Sequence, residues 1–172
     1  MTGGEFERLV KLDRLPAGPL TIVASEAERA ALARRFSLPS LASLGATVTL
    51  TPRGEAIEAR GRLEAAFEQQ CAIANEPFAA RIDEPLAIRF VPRLAVPDAE
   101  EDIEFAGDEP DEIEYQGAAF DLGEAVAQSF GLALDPYATG PRAEEVRRAA
   151  GLADETAPGG PFAALAALRK DP

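Results

Sequence analysis

From Ala46 to Pro92 apolar and polar side chains alternate with a period of two, and no other pattern in the chain restricts the backbone so strongly. Successive side chains of a strand point to opposite faces, so this alternation describes a sheet with one face buried and one in water. Ala46, Val48 and Leu50 alternate with Thr47, Thr49 and Thr51, and Pro52-Arg-Gly54 marks a hairpin turn. The next run sets Ile57, Ala59, Gly61, Leu63, Ala65, Phe67, Gln69, Cys71 and Ile73 on one face. It is too long for an ordinary strand, which predicts a bend or bulge near Gly61. A turn at Ala74-Asn-Glu-Pro77 leads into Phe78, Ala80 and Ile82 and then, past Pro85, into Leu86, Ile88 and Phe90. The expected fold class is α+β. Its centre is a curved antiparallel β-meander, with partial closure into a barrel left open, and a few helices and a flexible C-terminal tail accompany it.

Phe6 to Leu12 alternates roughly and reads as a first strand, Pro16-Ala-Gly-Pro19 turns the chain, and Thr21 to Val23 adds a short extended piece. Ser25 with Glu28 three residues on forms a capping box, so a helix begins there, with Leu32 and Phe36 inward, Arg34 and Arg35 outward, and Pro39 preventing continuation. Asp121 caps a second helix whose stripe is Leu122, Ala125, Val126, Ser129, Phe130 and Ala133; Glu124 holds its third position and Pro136 ends it. A third, short helix fits Ala143 to Ala150. These boundaries give one α+β domain over 1–136, with an acidic loop at 97–117, and a tail over 137–172 ending in a short amphipathic helix.

The net charge of −13 is concentrated in one place. Asp98, Glu100, Glu101, Asp102, Glu104, Asp108, Glu109, Asp111, Glu112 and Glu114 fall within one short stretch, and no Lys or Arg occurs between Leu94 and Pro141. The rest of the chain is neutral. Self-repulsion keeps such a block solvated. It is either a solubilising loop or a surface that attracts a basic partner and competes with nucleic acid for it.

Catalytic chemistry is sparse. The absence of histidine removes the Ser-His-Asp and Cys-His arrangements and the commonest zinc ligand. No Gly-rich phosphate loop and no Gly-x-Ser-x-Gly elbow is present. The clustered carboxylates lack the fixed, desolvated surroundings that tune a catalytic acid. No catalytic residue, cofactor or metal site is therefore assigned, and the chain reads as a non-enzyme; a carboxylate-only divalent-cation site is the one metal reading left open. Cys71 lies on the apolar face and reads as a small core residue. With one cysteine, no membrane-length apolar run and no basic or apolar opening segment, a soluble cytoplasmic protein is expected.

Two further features have the makings of binding surfaces. Arg60, Arg62 and Arg81 fall on the polar face of the meander, where a basic stripe would contact RNA phosphates. Glu58, Glu64, Glu68 and Glu84 are interleaved with them and aromatic platforms are absent, which favours an ordinary salt-bridged face. At the C-terminal end Pro161 suits a first helical position, Phe162, Leu165 and Leu168 face one way, and Arg169 and Lys170 suit the negative end of the dipole. So short a helix is marginal alone in water, so it docks either on its own domain or in a partner's groove.

In this order the segments resemble the YceD family of large ribosomal RNA subunit accumulation proteins. Gly61-Arg-Leu through Gln70-Cys71-Ala-Ile-Ala74-Asn-Glu-Pro77-Phe78 is similar to the family's Cys-x-x-Cys-x-x-Pro-Phe turn. The acidic stretch followed by Phe120-Asp121-Leu122 and Leu132-Ala-Leu134-Asp-Pro136 resembles its Ile-Asp-Leu helix ending in Leu-x-Leu-Pro. Pro161-Phe162-Ala-Ala-Leu165-Ala-Ala-Leu168-Arg-Lys170 resembles its terminal block. Ala74 stands where many members have a second cysteine, so any function kept here does not depend on a cysteine pair. The resemblance implies a non-catalytic part in large-subunit biogenesis, with a basic large-subunit ribosomal protein, large-subunit ribosomal RNA, or both as partners, and no membrane or small-molecule substrate. The alternative is a general interaction module whose acidic loop and terminal helix bind a non-ribosomal partner.

Overall fold

The alternating segment forms three long antiparallel strands, around which the rest of the chain is arranged. The computed structural model describes residues 4–93 and 110–151. Its strands are β1 (Leu9–Lys11), β2 (Leu20–Val23), β3 (Ser40–Arg53), β4 (Ala56–Gln70), β5 (Pro77–Pro92), β6 (Asp111–Tyr115) and β7 (Ala119–Asp121). The helices are α1 (Glu26–Arg35), α2 (Leu122–Ala133) and α3 (Ala143–Ala149). The main sheet has the order β2-β3-β4-β5-β6, antiparallel except for the parallel pair β5–β6. It stays open, so the closure left open by the sequence does not occur. β1 and β7 pair separately, with Val10 opposite Phe120.

Several local expectations need correction. The β3–β4 hairpin turns on Gly54-Glu55, because Arg53 already pairs with Ala56; Gly54 supplies the left-handed φ of +65°. There is no bulge at Gly61. The glycine pairs in register with Val48 and Leu86, and the irregularity lies between Leu41 and Ser43 of β3. Glycine is needed at 61 for close approach instead, since a Cβ there would sit 1.9 Å from the Thr47 carbonyl oxygen. β5 runs through Pro85 without a break. β6 begins only level with Ile88, so a residue without an N–H falls on an edge where no neighbouring strand needs it.

The acidic loop expected over 97–117 also ends sooner. Asp111–Tyr115 is a strand, because Ile113 and Tyr115 alternate with the acids and are half-buried while Glu112 and Glu114 stay in water. Residues 137–151, placed with the tail, are attached to the β4–β5 turn. Ala72 donates its N–H to the Ala138 carbonyl at 3.0 Å, Arg142 bridges to Glu76 at 2.8 Å, and Ala143 is buried.

The core lies between one face of the sheet and helices α1 and α2. Phe130 of α2 meets Phe36 and Phe67 edge-on, at centroid separations of 5.5 and 5.4 Å, and Phe90 stacks on Phe120 at 4.2 Å. Ser25 and Glu28 form the predicted capping box. Asp121 caps α2 as read from the sequence, and the same carboxylate oxygen accepts the Arg8 backbone N–H at 2.8 Å, which ties the N-terminal segment to the helix. The opposite face of the sheet, with Thr47, Thr49, Arg60 and Arg62, is exposed.

Candidate functional site

The acidic stretch leaves the sheet after Arg93 and rejoins it at Pro110, on the same edge. Arg93 donates its backbone N–H to the Tyr115 carbonyl at 2.9 Å, so the exit and the end of β6 are joined directly. Beyond the ladder, Arg89 bridges to Glu112 at 3.1 Å and Arg93 to Glu114 at 3.6 Å, while the Tyr115 hydroxyl donates to the Glu55 carbonyl at 2.9 Å. All four of these charged side chains are exposed, so each pair stabilises by about 0–1 kcal/mol. Such pairs exchange readily for an external cation. Asp111, Glu112 and Glu114 are thus placed on an edge strand. Asp98, Glu100, Glu101, Asp102, Glu104, Asp108 and Glu109 lie outside the described residues, as do Phe162, Leu165, Leu168, Arg169 and Lys170.

Arg60, Arg62 and Arg81 share the outer face of the sheet but do not lie in one row. Arg60 lies opposite Ala87 and Arg62 opposite Pro85, whereas Arg81 faces Ala66, four residues further along β5 and about 13 Å from the level of Arg62. On that face Arg60, Arg62, Arg81 and Arg89 are matched by Glu58, Glu64, Glu68 and Asp83. Arg62 bridges to Asp83, whose carboxyl it holds below the usual range, and Arg60 bridges to Glu58 at 3.4 Å. The net field over the face is near zero, which gives phosphates little to hold. Glu84 is not part of it. It stands opposite Leu63, on the helix side of the sheet.

Cys71 is buried, as its position on the apolar face predicts. Its Sγ accepts the Ala74 N–H at 3.2 Å, and the backbone amides of Ala74, Gly140 and Ile73 hold the thiol below its usual range. The turn is closed by Cys71 N–H to the Glu76 carbonyl at 2.8 Å, with Asn75 in the left-handed region at φ 52°. It therefore forms without a second cysteine. Among the described residues no group of three potential ligands could hold a metal ion, and no helix is long and apolar enough to cross a membrane.

One feature the sequence did not reveal is a groove of about 360 Å³ between β5 and the last turn of α2. Leu63, Leu86, Leu132 and Ala133 line it, with Glu84 and Asp111 among the lining side chains. Leu132 is 77% exposed. The helical stripe identified the buried side of α2 correctly, but the pattern alone could not show that the helix ends before covering β5.

Comparisons with curated proteins and with solved structures gave no match. A family model described as "Large ribosomal RNA subunit accumulation protein YceD" matches residues 59–169. That span takes in β4 and β5 with the Cys71 turn, the acidic stretch with its return strand, the Asp121-capped helix and the C-terminal block. These elements occupy most of the chain and follow one another in the family's order, and the chain belongs to the YceD family.

Proposed function

We propose that this protein supports accumulation of large-subunit ribosomal RNA as a non-catalytic binding factor whose acidic segment holds a basic large-subunit ribosomal protein. The observation that carries this reading is the separation of charge. The exposed sheet face balances its arginines with acids, while the excess negative charge is gathered between Asp98 and Glu114 and returned to the sheet at β6. A basic chain gains there by many weak contacts, and polyanionic RNA does not. Contact with RNA would then come through the protein partner.

The test follows from where β6 begins. Deleting residues 98–109 removes seven acids and leaves Asp111–Tyr115 in the sheet. The parent chain should capture one basic ribosomal protein from a lysate at low salt and release it as screening shortens to about 3 Å near 1 M salt. The deletion variant should lose that capture while melting at the parent's temperature. Unchanged affinity in the variant at low salt would refute the electrostatic reading. Capture of non-ribosomal proteins alone would favour the interaction-module alternative.

A further inference from the structure

We propose that residues 4–12 form a strap that opens as a unit while the main sheet stays folded, and that Arg8 is the latch coupling this opening to the first turn of α1.

The strap lies on the helices and not in the main sheet. Its ladder joins three residues of β1 to three of β7, apart from the five-stranded sheet. It crosses the start of α2 at close range, since a Cβ at Gly123 would sit 2.1 Å from the Phe6 carbonyl oxygen and 2.9 Å from the Arg8 backbone nitrogen. Along α1 it runs antiparallel, with Glu5 against Arg35 in the last turn of the helix and Arg8 against Glu28 in the first. The spans agree, because Glu5 to Arg8 reaches at most about 10 Å and Glu28 to Arg35 covers about 10 Å of helix. From Gly4 to Lys11 only Phe6 and Val10 are buried. A segment with so few apolar anchors opens more often than the core beneath it.

Arg8 gathers the other attachments. Its backbone N–H donates to Asp121 Oδ1 at 2.8 Å and its carbonyl accepts the Leu122 N–H at 3.0 Å, which fixes it to α2. Its guanidinium lies over the Phe6 ring at 4.7 Å and donates to the two Glu28 oxygens at 2.7 and 2.9 Å and to the Val23 carbonyl at 3.0 Å. Glu28 Oε2 also accepts the Ser25 N–H at 2.7 Å, the returning half of the α1 capping box. One carboxylate therefore serves the strap and the helix cap at once. When the strap lifts, Glu28 loses the two-pronged donor that orients it, and the cap weakens with it. Opening frees the Glu28 and Asp121 carboxylates and the Gly123 face together, so the latch gates the junction of α1 with α2.

Hydrogen–deuterium exchange of the full chain tests both parts. In the parent, amides at 8–12 and 119–122 should have protection factors at least about a hundredfold below those at 59–66 in β4. In Arg8→Ala these strap amides should exchange about tenfold faster, and those of Ser25, Glu28 and Arg29 should follow, with β4 unchanged. Glu28→Gln keeps an acceptor for Ser25 but weakens the latch, so amides at 9–12 should accelerate although no strap residue is altered. Equal protection of the strap and β4 in the parent would overturn the separate opening. Acceleration in Arg8→Ala that is confined to the strap, or that spreads equally to β4, would overturn the coupling. So would strap amides left unmoved by Glu28→Gln.

Discussion

Replacing Asp121 with alanine should cost about 2–4 kcal/mol, because one carboxylate oxygen holds two parts of the fold together. Its Oδ1 accepts backbone N–H groups from Gly123 at 3.0 Å and Glu124 at 3.1 Å, and from Arg8 at 2.8 Å. Loss of the helix cap accounts for about 1 kcal/mol. The Arg8 amide is partly buried and would be left without a partner, which adds about 1–3 kcal/mol. Urea unfolding followed by circular dichroism measures the loss directly. With a slope near 2 kcal/mol per molar urea, the midpoint should fall by about 1–2 M. Asp121→Asn retains an acceptor oxygen and should stay within about 1 kcal/mol of the parent. If alanine costs less than about 0.5 kcal/mol, the carboxylate is not the tether described here. If asparagine costs as much as alanine, the charge and not the acceptor matters, and the reasoning fails in a different way.

Gly61→Ala should destabilise by about 1–3 kcal/mol or more, since its Cβ would meet the Thr47 carbonyl oxygen at 1.9 Å and the Val48 Cα at 2.7 Å, both backbone atoms; an alanine variant as stable as the parent would exclude this close approach. The Arg8 guanidinium, hydrogen-bonded to Glu28, lowers that carboxyl to about 2. The unfolded chain therefore binds this proton first, and the stabilisation is full above the unfolded value of about 4.3 and lost as pH falls toward 2. Unfolding free energies from urea titrations between about pH 5 and pH 2 should fall more steeply for the parent than for Glu28→Gln, by about 1–2 kcal/mol in total; parallel curves would remove Glu28 from the acid limb.

Features set by neighbouring residues were readable from the sequence. Ser25 with Glu28, and Asp121 with its following stripe, announce their helices because caps act within one turn. The three long strands follow from period-two alternation. What was misread depended on partners far along the chain. Gly61 suggested a bulge because its reason, the Thr47 carbonyl, belongs to another strand. Why Pro85 is tolerated inside β5 is visible only in the sheet order, where no described strand lies beside it on the β6 side. Ile113 and Tyr115 carried a strand signal, but the surrounding charge argued for a loop until β5 was seen to supply a parallel edge. The interleaving of arginines with acids on the outer face was legible, but their spacing across strands was not: Arg81 shares a face with Arg62 but not its level.

The pairing of β1 with β7 bears on how the chain is made. β2 to β5 are joined in succession to their neighbours in the sheet, so each can add to the last as it leaves the ribosome. Residues 9–11 are synthesised before all of them, yet their partners are 119–121. At about 5–20 residues per second, that segment waits on the order of 5–20 s for β7 to appear. Residues 9–11 are thus placed after the hairpin sheet, once β7 and α2 are available to receive them. A bulky fusion ahead of Phe6 would burden that placement, whereas the hairpin sheet would already have formed.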